Sequence, residues 1–422
     1  MYFGKSLMSS TNFDSDLAIV GAGPAGSCAA WESVKYKPGV SVSIFEEHSN
    51  IGRPLQCSGL VATDGLRNLG LNLTKLNYNK IKRAKFIAPN FSSFDINRGK
   101  DSMVVIDRVA LDNYLAERAR TNGCEYHLEH RVNQIHFDDN GWILYINHKK
   151  KKKIHRSKVL VSAEGVHARL TRSIGLSPPD RNWLFPALQY EFEDTQDVDP
   201  DCVELYFGRK YAPGFFGWFI PINENSVRLG IAVEPRFKGK RRLFLKQFRK
   251  HPFLKDRFKN SKITNSYGGY VPVSGPVKIT YHKSFMVIGD AAGQSKATTG
   301  GGINIGGYCG RLAGLMARKI ILEELPSLKA CRDYQNQWRT LFEPNLSLMK
   351  LFRRILTPLP DETWNEIIKI GRETDIGGSL STSHIDLHGI GLLKHALRPR
   401  VFMKSFHAIP QAVSSLFREF IS

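Results

Sequence analysis

Three glycines and one carboxylate near the start of the chain carry the first chemical signal. Gly21, Gly23 and Gly26 follow the apolar run Leu17–Val20 and lead into a stretch from Pro24 to about Lys35 that reads as a helix. In such a turn the first glycine permits the bend. The second lets a diphosphate approach the backbone, and the third lets helix and strand pack closely. The helix N-terminus then offers unpaired N–H groups and partial positive charge to the phosphates. Glu46 ends the next strand, Ser41–Phe45, and lies 20 residues after Gly26. That is where an acid binding a ribose hydroxyl is expected. The combination predicts a dinucleotide-binding βαβ unit.

A related arrangement recurs far along the chain. Phe285–Ile288 reads as a buried strand leading to the acid Asp290, and Gly300–Gly302 opens a long apolar helix from Ile303 to about Glu324. The acid can bind a cofactor hydroxyl, while the helix starting at Gly302 aims its positive end at whatever stands in front. Reduced flavin, negative at its N1/O2 edge, is a group such a helix stabilises. The expectation is that residues 21–26 and 289–303 meet around a single FAD.

The elements that must position these residues fit a chain of 422 residues with 42% hydrophobic side chains, enough for two joined domains and a tail. The fold class expected is α/β (α+β). A Rossmann-like FAD-binding domain spans 14–181 and resumes over 276–330. An antiparallel-sheet substrate domain spans 182–275, and a helical C-terminal region spans 331–422. Within the first part, Ile81–Ile96 holds strands, Met103–Ile106 is a strand, and Asp107 caps a helix over Val109–Thr121. Four strands between Glu125 and Val161 read as a β-meander over the first sheet, with Lys149–Lys153 at a hairpin. Period-two patterning over Leu188–Glu193, Val203–Phe207, Gly217–Ile222 and Val227–Val233 reads as an antiparallel sheet. Arg236–Lys262 reads as a basic helical region studded with Phe244, Phe248, Phe253 and Phe258.

Sixty Lys and Arg against 39 Asp and Glu give a formal charge of +21, which favours anionic partners. No nucleic-acid recognition module is found, so nucleic acid is not an expected partner. The Arg236–Lys262 stretch, with its phenylalanines, suits a bilayer surface instead. The six cysteines are scattered, without CxxC or a His/Cys cluster, which argues against disulfides and zinc and for a reducing interior. Residues 1–13 lack the apolar core of a signal peptide, and no run approaches the length of a membrane span.

The loop Ile51–Gly59, containing Cys57 and Ser58, adds specificity, as does Asp107-Arg108 before a helix. With Gly21–Gly26, Gly289–Gly293 and Thr299–Ile303 in this order, residues 14–330 resemble the geranylgeranyl reductase family of FAD-dependent oxidoreductases. That family belongs to the group sharing the para-hydroxybenzoate hydroxylase fold. The resemblance implies FAD held around Ala25 and by Glu46, with the Cys57-Ser58 loop beside the isoalloxazine and Arg108 near the cofactor. It also implies backbone contact of Val132 with adenine, and flavin contacts from Asp290, Gly302 and Ile303. Gly214–Pro221 resembles the family's Tyr-x-Trp-x-Phe-Pro stretch lining a lipid pocket. Trp218 and Pro221 are kept, Phe216 replaces the Tyr and Ile220 replaces the Phe. Glu164-Gly165, where relatives often have Asp-Gly, and the Ser-Gly after Cys57 are further departures.

Two readings of Cys57 stand: a thiol that gates the flavin or delivers a proton, or a small side chain that merely fits. Cys28 and Cys309, on predicted helices, read as packing residues. The implied activity is saturation of C=C bonds in geranylgeranyl or other isoprenoid chains of membrane ether lipids, by hydride from reduced flavin. The expected partners are an isoprenoid lipid and an anionic membrane surface. The electron donor is left open among reduced ferredoxin, NAD(P)H and a deazaflavin. The expected location is cytoplasmic, peripheral at the inner face of the membrane. The alternatives are a monooxygenase of the same fold and an electron-transfer flavoprotein at the membrane.

Overall fold

The computed structural model describes residues 13–401 apart from 37–38, 77, 100–101, 139, 375, 377, 379–383 and 399–400. Residues 1–12, read above for a leader, and residues 402–422 of the expected helical tail lie outside the described residues. In chain order the strands are β1 (Ser15–Val20), β2 (Val42–Phe45), β3 (Leu60–Ala62), β4 (Tyr78–Ile81), β5 (Arg83–Ile87), β6 (Ser93–Asn97), β7 (Met103–Ile106), β8 (Glu125–His127), β9 (His130–Phe137), β10 (Trp142–His148), β11 (Lys151–Ser162), β12 (Leu184–Glu193), β13 (Cys202–Tyr206), β14 (Gly217–Pro221), β15 (Val227–Ala232), β16 (Lys262–Pro272), β17 (Tyr281–His282) and β18 (Phe285–Val287). The helices are α1 (Pro24–Val34), α2 (Thr63–Asn68), α3 (Arg108–Arg120), α4 (Arg169–Ser173), α5 (Arg241–Arg249), α6 (Ile303–Ile321), α7 (Ser327–Leu356), α8 (Asp361–Glu373) and α9 (Gly389–Ala396).

The fold is mixed α/β. The first sheet runs β17-β18-β11-β1-β2-β8, parallel from β18 to β8. β1 serves two cores because its side chains alternate. Leu17 and Ile19 cluster with Ala29 of α1 and Ala313 of α6. Ala18 and Val20 cluster with Ile135, Leu144 and Leu160 of β9–β11. The meander is therefore part of this sheet rather than a layer over it: β11 pairs in parallel with β1, and β10 and β9 extend from β11.

α1 and α6 touch through backbone. A Cβ added at Gly310 would lie 2.2 Å from the carbonyl oxygen of Ala25, and one at Gly314 2.2 Å from that of Ala29. Gly306, one helical turn earlier on the same face, would meet Ala25 Cβ at 3.7 Å. Residues four apart share a helix face, so three glycines make a seam into which the alanines of α1 settle.

The second sheet runs β16-β12-β15-β14-β13-β5-β6. β5 and β6, which lie within the span expected to belong to the first FAD-binding segment, are its outer strands. β5 pairs in parallel with β13, Arg83 opposite Cys202. Along β14, Phe216 at its foot, Trp218 and Ile220 face one way, whereas Phe219 faces the core with Phe248, Leu254 and Phe258. That core corrects the sequence reading of residues 236–262. Only α5 is α-helical, followed by turns and then β16 from Lys262. Pro252 disfavours helical backbone just before it. Phe248 and Phe258 are buried rather than presented to a surface. Among the described residues no helix is long and apolar enough to cross a membrane.

Gly310→Ala tests the seam. Alanine is favoured over glycine in a helix by about 1 kcal/mol, but overpacking costs typically about 1–3 kcal/mol, and the carbonyl it strikes cannot rotate away. A lower urea midpoint is expected for Gly310→Ala. Gly239→Ala, where the Cβ meets nothing within 4 Å, should leave it unchanged.

Candidate functional site

The N-termini of α1 and α6 open into one cavity of about 1220 Å³, above the roughly 300–1,000 Å³ common for a single small-molecule site. Neither helix has a side-chain cap: Gly23 stands at the N-cap of α1 and Gly302 at that of α6. Their first N–H groups are left for a ligand. Gly21, at φ +103°, presses against the Ala163 carbonyl, where a Cβ would sit 2.3 Å from the oxygen. At Gly23 a Cβ would meet nothing within 4 Å, so the backbone there faces open space. Gly289, just before Asp290, has Ala25 Cβ 3.1 Å from its own Cβ direction. The two glycine turns therefore abut, as the sequence led us to expect.

Glu46 Oε2 accepts the Ala22 N–H at 3.0 Å, and its Oε1 faces His48 Nδ1 at 2.6 Å. The carboxylate expected to bind a ribose hydroxyl is thus tied to the first glycine turn. Val132 lines the same end of the cavity. At the other end stands Asp290, whose carboxyl is pushed up to about 6 by burial, with Arg108 opposing the shift. Gly302 lies against Asp290, a Cβ there falling 2.9 Å from Oδ1, and Ile303 lines the cavity beside it.

Between these ends runs the 51–59 loop. Cys57 and Ser58 line the cavity, and Cys57 Sγ accepts the Gly59 N–H at 3.4 Å. Arg108, at the start of α3, grips Asp112 with Nη2 3.1 Å from each carboxylate oxygen, and lines the cavity together with Cys57. Sequence reading missed the residue that holds this loop from the other side. Buried Arg228 of β15 donates to the Ser58 carbonyl at 2.6 Å and to the Ile106 carbonyl at 3.2 Å. Its Nε pairs with Glu191 Oε1 at 2.8 Å, and Glu191 in turn accepts from Tyr267 at 2.9 Å. A lone arginine in an apolar strand was the available signal.

The second sheet supplies the facing wall. Its cross-strand register sets Phe94, Phe86, Leu205 and Trp218 in one row over four strands, all lining the cavity. Three strand spacings of about 4.8 Å make the row roughly 14 Å long. Trp218 lies over Gly230, where a Cβ would collide with the indole at 2.4 Å, and its Nε1 donates to Gln189 Oε1 at 2.8 Å. Phe216 lines the cavity too, but Pro221 does not. Alternation turns Ile220 toward the cavity, and the Pro221 carbonyl accepts from Asn79 at 3.1 Å. Glu164, a departure noted above, caps α4: its carboxylate accepts the N–H groups of Leu170 and Thr171 at 2.9 Å.

A polar group completes the floor. Lys296 Nζ lies 2.7 Å from Asp386 Oδ1, and Asn304 Nδ2 donates to Asp386 Oδ2 at 2.8 Å. Burial alone would raise the Asp386 carboxyl, but Lys296 and these hydrogen bonds bring it below its ordinary value. Cys28 and Cys309 are buried packing residues, as read; burial pushes the Cys28 thiol up to about 12.

These residues fit a dinucleotide with a flavin head. The backbone at Gly23 is open, both helix N-termini lack caps, and the Oδ1 of buried Asn304 has no partner. Fold and cavity together define an FAD-dependent oxidoreductase. Residues 14–307 match the family described as FAD binding domain, and the chain belongs to it. It is 29% identical over 356 residues to digeranylgeranylglycerophospholipid reductase of Methanococcus vannielii, covering 83% of this chain and 89% of that one. A geranylgeranyl bacteriochlorophyll reductase-like protein from Thermoplasma acidophilum superposes with a TM-score of 0.80 at 23% identity, over 96% of this chain and 98% of that one. The p-nitrophenol 4-monooxygenase of Pseudomonas putida gives 0.68 at 16% identity, over 90% and 98%. The two structural likenesses establish the fold.

Two measurements probe the geometry. Arg228→Met strands Glu191 and frees the Ser58 carbonyl, for an expected loss of about 1.5–3 kcal/mol in stability. Cys57 should then react faster with iodoacetamide, a readout specific to it because the other five cysteines are buried. The second concerns Asp290. Folded, it keeps its proton up to about pH 6; unfolded, it loses it near 3.8. Its contribution to stability is greatest below the unfolded value and is lost as pH rises through about 6. Denaturation of the apoprotein across pH 4–7 should show this decline, and Asp290→Asn should flatten it.

Proposed function

We propose that the protein saturates C=C bonds in geranylgeranyl or other isoprenoid chains of membrane ether lipids. The observation that carries this reading is the row Phe94–Phe86–Leu205–Trp218, an apolar wall in the cavity that also holds both glycine turns. The name of the Methanococcus vannielii relative supports it.

Bound FAD, once reduced, supplies a hydride. Everything else falls to the chain. Glu46, Ala25 and the α1 N-terminus hold the adenosine diphosphate end, with Val132 at the adenine. Asp290, Gly302 and Ile303 hold the flavin end. Isolated alkenes are unactivated, so water must be excluded and the bond held in one place. The aromatic row does the first, and Trp218, fixed by Gln189, bounds the second. The other alkene carbon needs a proton. We assign it to the Cys57 thiol, which lines the cavity from the 51–59 loop. Hydride and proton together add two hydrogens per bond. Delivery of the lipid places the protein peripherally on the inner face of an anionic membrane. Reduced ferredoxin, NAD(P)H and a deazaflavin all satisfy the need for a donor.

Anaerobic incubation of dithionite-reduced protein with a geranylgeranyl phospholipid should reoxidise the flavin and add two hydrogens per bond, read by mass. Unchanged lipid mass overturns the reading. Oxygen uptake driven by NAD(P)H and an aromatic substrate would instead support the monooxygenase. Tight FAD with no alkene reduced by any reductant would support electron transfer. Cys57→Ala should keep its FAD and lose roughly 10²-fold or more in rate.

A further inference from the structure

Phe91, at the tip of the β5–β6 hairpin, has φ +70°, a left-handed geometry that bulky residues disfavour. It is nonetheless 43% exposed. The turn does not need its ring: backbone bonds join Ala88 to Ser92 and Phe91 to Ala88, and Asn90 Oδ1 accepts the Ser92 N–H at 3.1 Å. A strained, exposed, bulky side chain points to a use outside the fold. Phe253, itself 45% exposed, sits beside it with ring centroids 5.5 Å apart.

Both rings lean on buried His251, at 5.2 and 5.4 Å. His251 Nδ1 accepts the Phe253 N–H at 3.1 Å, which leaves the proton on Nε2. Burial first, then Lys210, lowers its pKa to about 4, so the support under the two phenyl rings stays neutral. The segment that carries Phe253 is strongly basic. Between Arg236 and Lys262 the chain has twelve Lys and Arg against Asp256 alone. Lys246, Lys250, Lys255 and Lys259 are exposed, as are Arg209 and Lys210.

We propose that Phe91 and Phe253 form a rigid two-ring wedge that inserts into the interface of an anionic lipid bilayer, seated there by these cations. Aromatic rings flanked by Lys and Arg match the headgroup–acyl boundary, while the charges draw the wedge to anionic headgroups. The wedge is joined to the cavity wall. Asn90 N–H donates to Asn365 at 3.0 Å and Arg209 N–H to Asp361 at 2.7 Å, both on α8. Trp364 of α8 stacks on Phe207 at 4.3 Å, and both line the cavity. The strands of the wedge's own hairpin present Phe86 and Phe94 to it. A bilayer seated here therefore lies beside the wall that, on the proposed function, accepts the isoprenoid chain.

The test uses the full-length, FAD-loaded protein and flotation with vesicles of phosphatidylcholine, alone or mixed with phosphatidylglycerol. Wild type should float with the mixed vesicles only and detach in about 1 M salt, where the screening length is near 3 Å. Phe91→Asn with Phe253→Ser should bind about tenfold more weakly, from lost apolar burial. Phe91→Asn alone relieves the left-handed strain, so its thermal midpoint should hold or rise, excluding unfolding as the cause. The double variant should lose turnover on vesicle-embedded lipid and keep it on detergent-dispersed lipid. Wild type that ignores phosphatidylglycerol overturns the wedge. So does a double variant that binds like wild type, which would leave the cations to an acidic protein or RNA. Vesicle binding that depends on the rings, with no alkene reduced in detergent, overturns the proposed function and leaves the wedge standing.

Discussion

The α1–α6 seam is the contact on which the site's geometry depends. Two helices approach until backbone meets backbone, because Gly306, Gly310 and Gly314 lie on one face of α6 and Ala25 and Ala29 lie opposite. That closeness has little to do with cofactor chemistry locally, yet it fixes the distance between two positively polarised helix ends. Ala25 belongs to both arrangements: it opens α1 behind the first glycine turn and takes the first contacts from Gly289 and Gly310. The two ends of the cavity, at Glu46 and at Asp290, are thus positioned by one steric constraint. Protein interiors pack too densely to absorb a displaced helix locally, so a larger residue on the seam alters the cavity as well as the core.

The second sheet separates two tasks by alternation. One face sends Phe216, Trp218 and Ile220 to the cavity, and the other sends Phe219 into a dry core beneath α5. Gly217 and Gly230 make room for this. A Cβ at Gly217 would strike Phe248 at 2.7 Å on the core side, and one at Gly230 would strike Trp218 on the cavity side. The sheet also reaches across the cavity: Arg228 crosses from β15 to the Cys57-bearing loop. The loop is consequently held between α3, whose Asn113 donates to the Ile51 carbonyl at 3.3 Å, and the second sheet, through Arg228. A charged residue 6% exposed is costly unless fully paired. Arg228 meets that condition with Glu191 and two carbonyls.

What the sequence disclosed follows from locality. Gly21–Gly26, Glu46 and Gly300–Ile303 declare themselves because a glycine turn, a strand end and a helix start are written within a few residues of one another. β5 and β6 were recognisable as strands but not as members of the second sheet, since period-two patterning reports a buried face and not which sheet supplies it. Pro221 was carried over from a resemblance and sits one residue out of register, where alternation sends its neighbour Ile220 to the cavity. Phe248 and Phe258 read as part of a surface because basic residues flank them. Pro252 ends the helix and the chain folds both rings inward. Arg228 stood out only as a charge in an apolar strand, and Glu191 and Asp386 left no readable pattern, for their partners lie 37 to 170 residues away.

Asp386 shows why a distant segment belongs to this site. The floor of the cavity contains a lysine and an aspartate, each under a tenth exposed. Such a pair is weak support for stability, because desolvating two charges offsets much of their attraction. Its geometry has a clearer consequence. Lys296 lies in the loop that leads to the α6 N-terminus, and a Cβ at Gly301 would meet its Cε at 2.7 Å. Asp386 also holds Asn304, in the first turn of α6. The carboxylate thus grips both sides of the Gly300–Gly302 turn and fixes the backbone that leads into the α6 N-terminus. Thr298 and His388 make a second tie, at 2.7 Å, between the same two segments. Losing either partner would leave a buried charge unpaired, so the C-terminal segment and the glycine turn must be in place together. The helical region after Ser327 is therefore part of what completes the Asp290 end of the cavity.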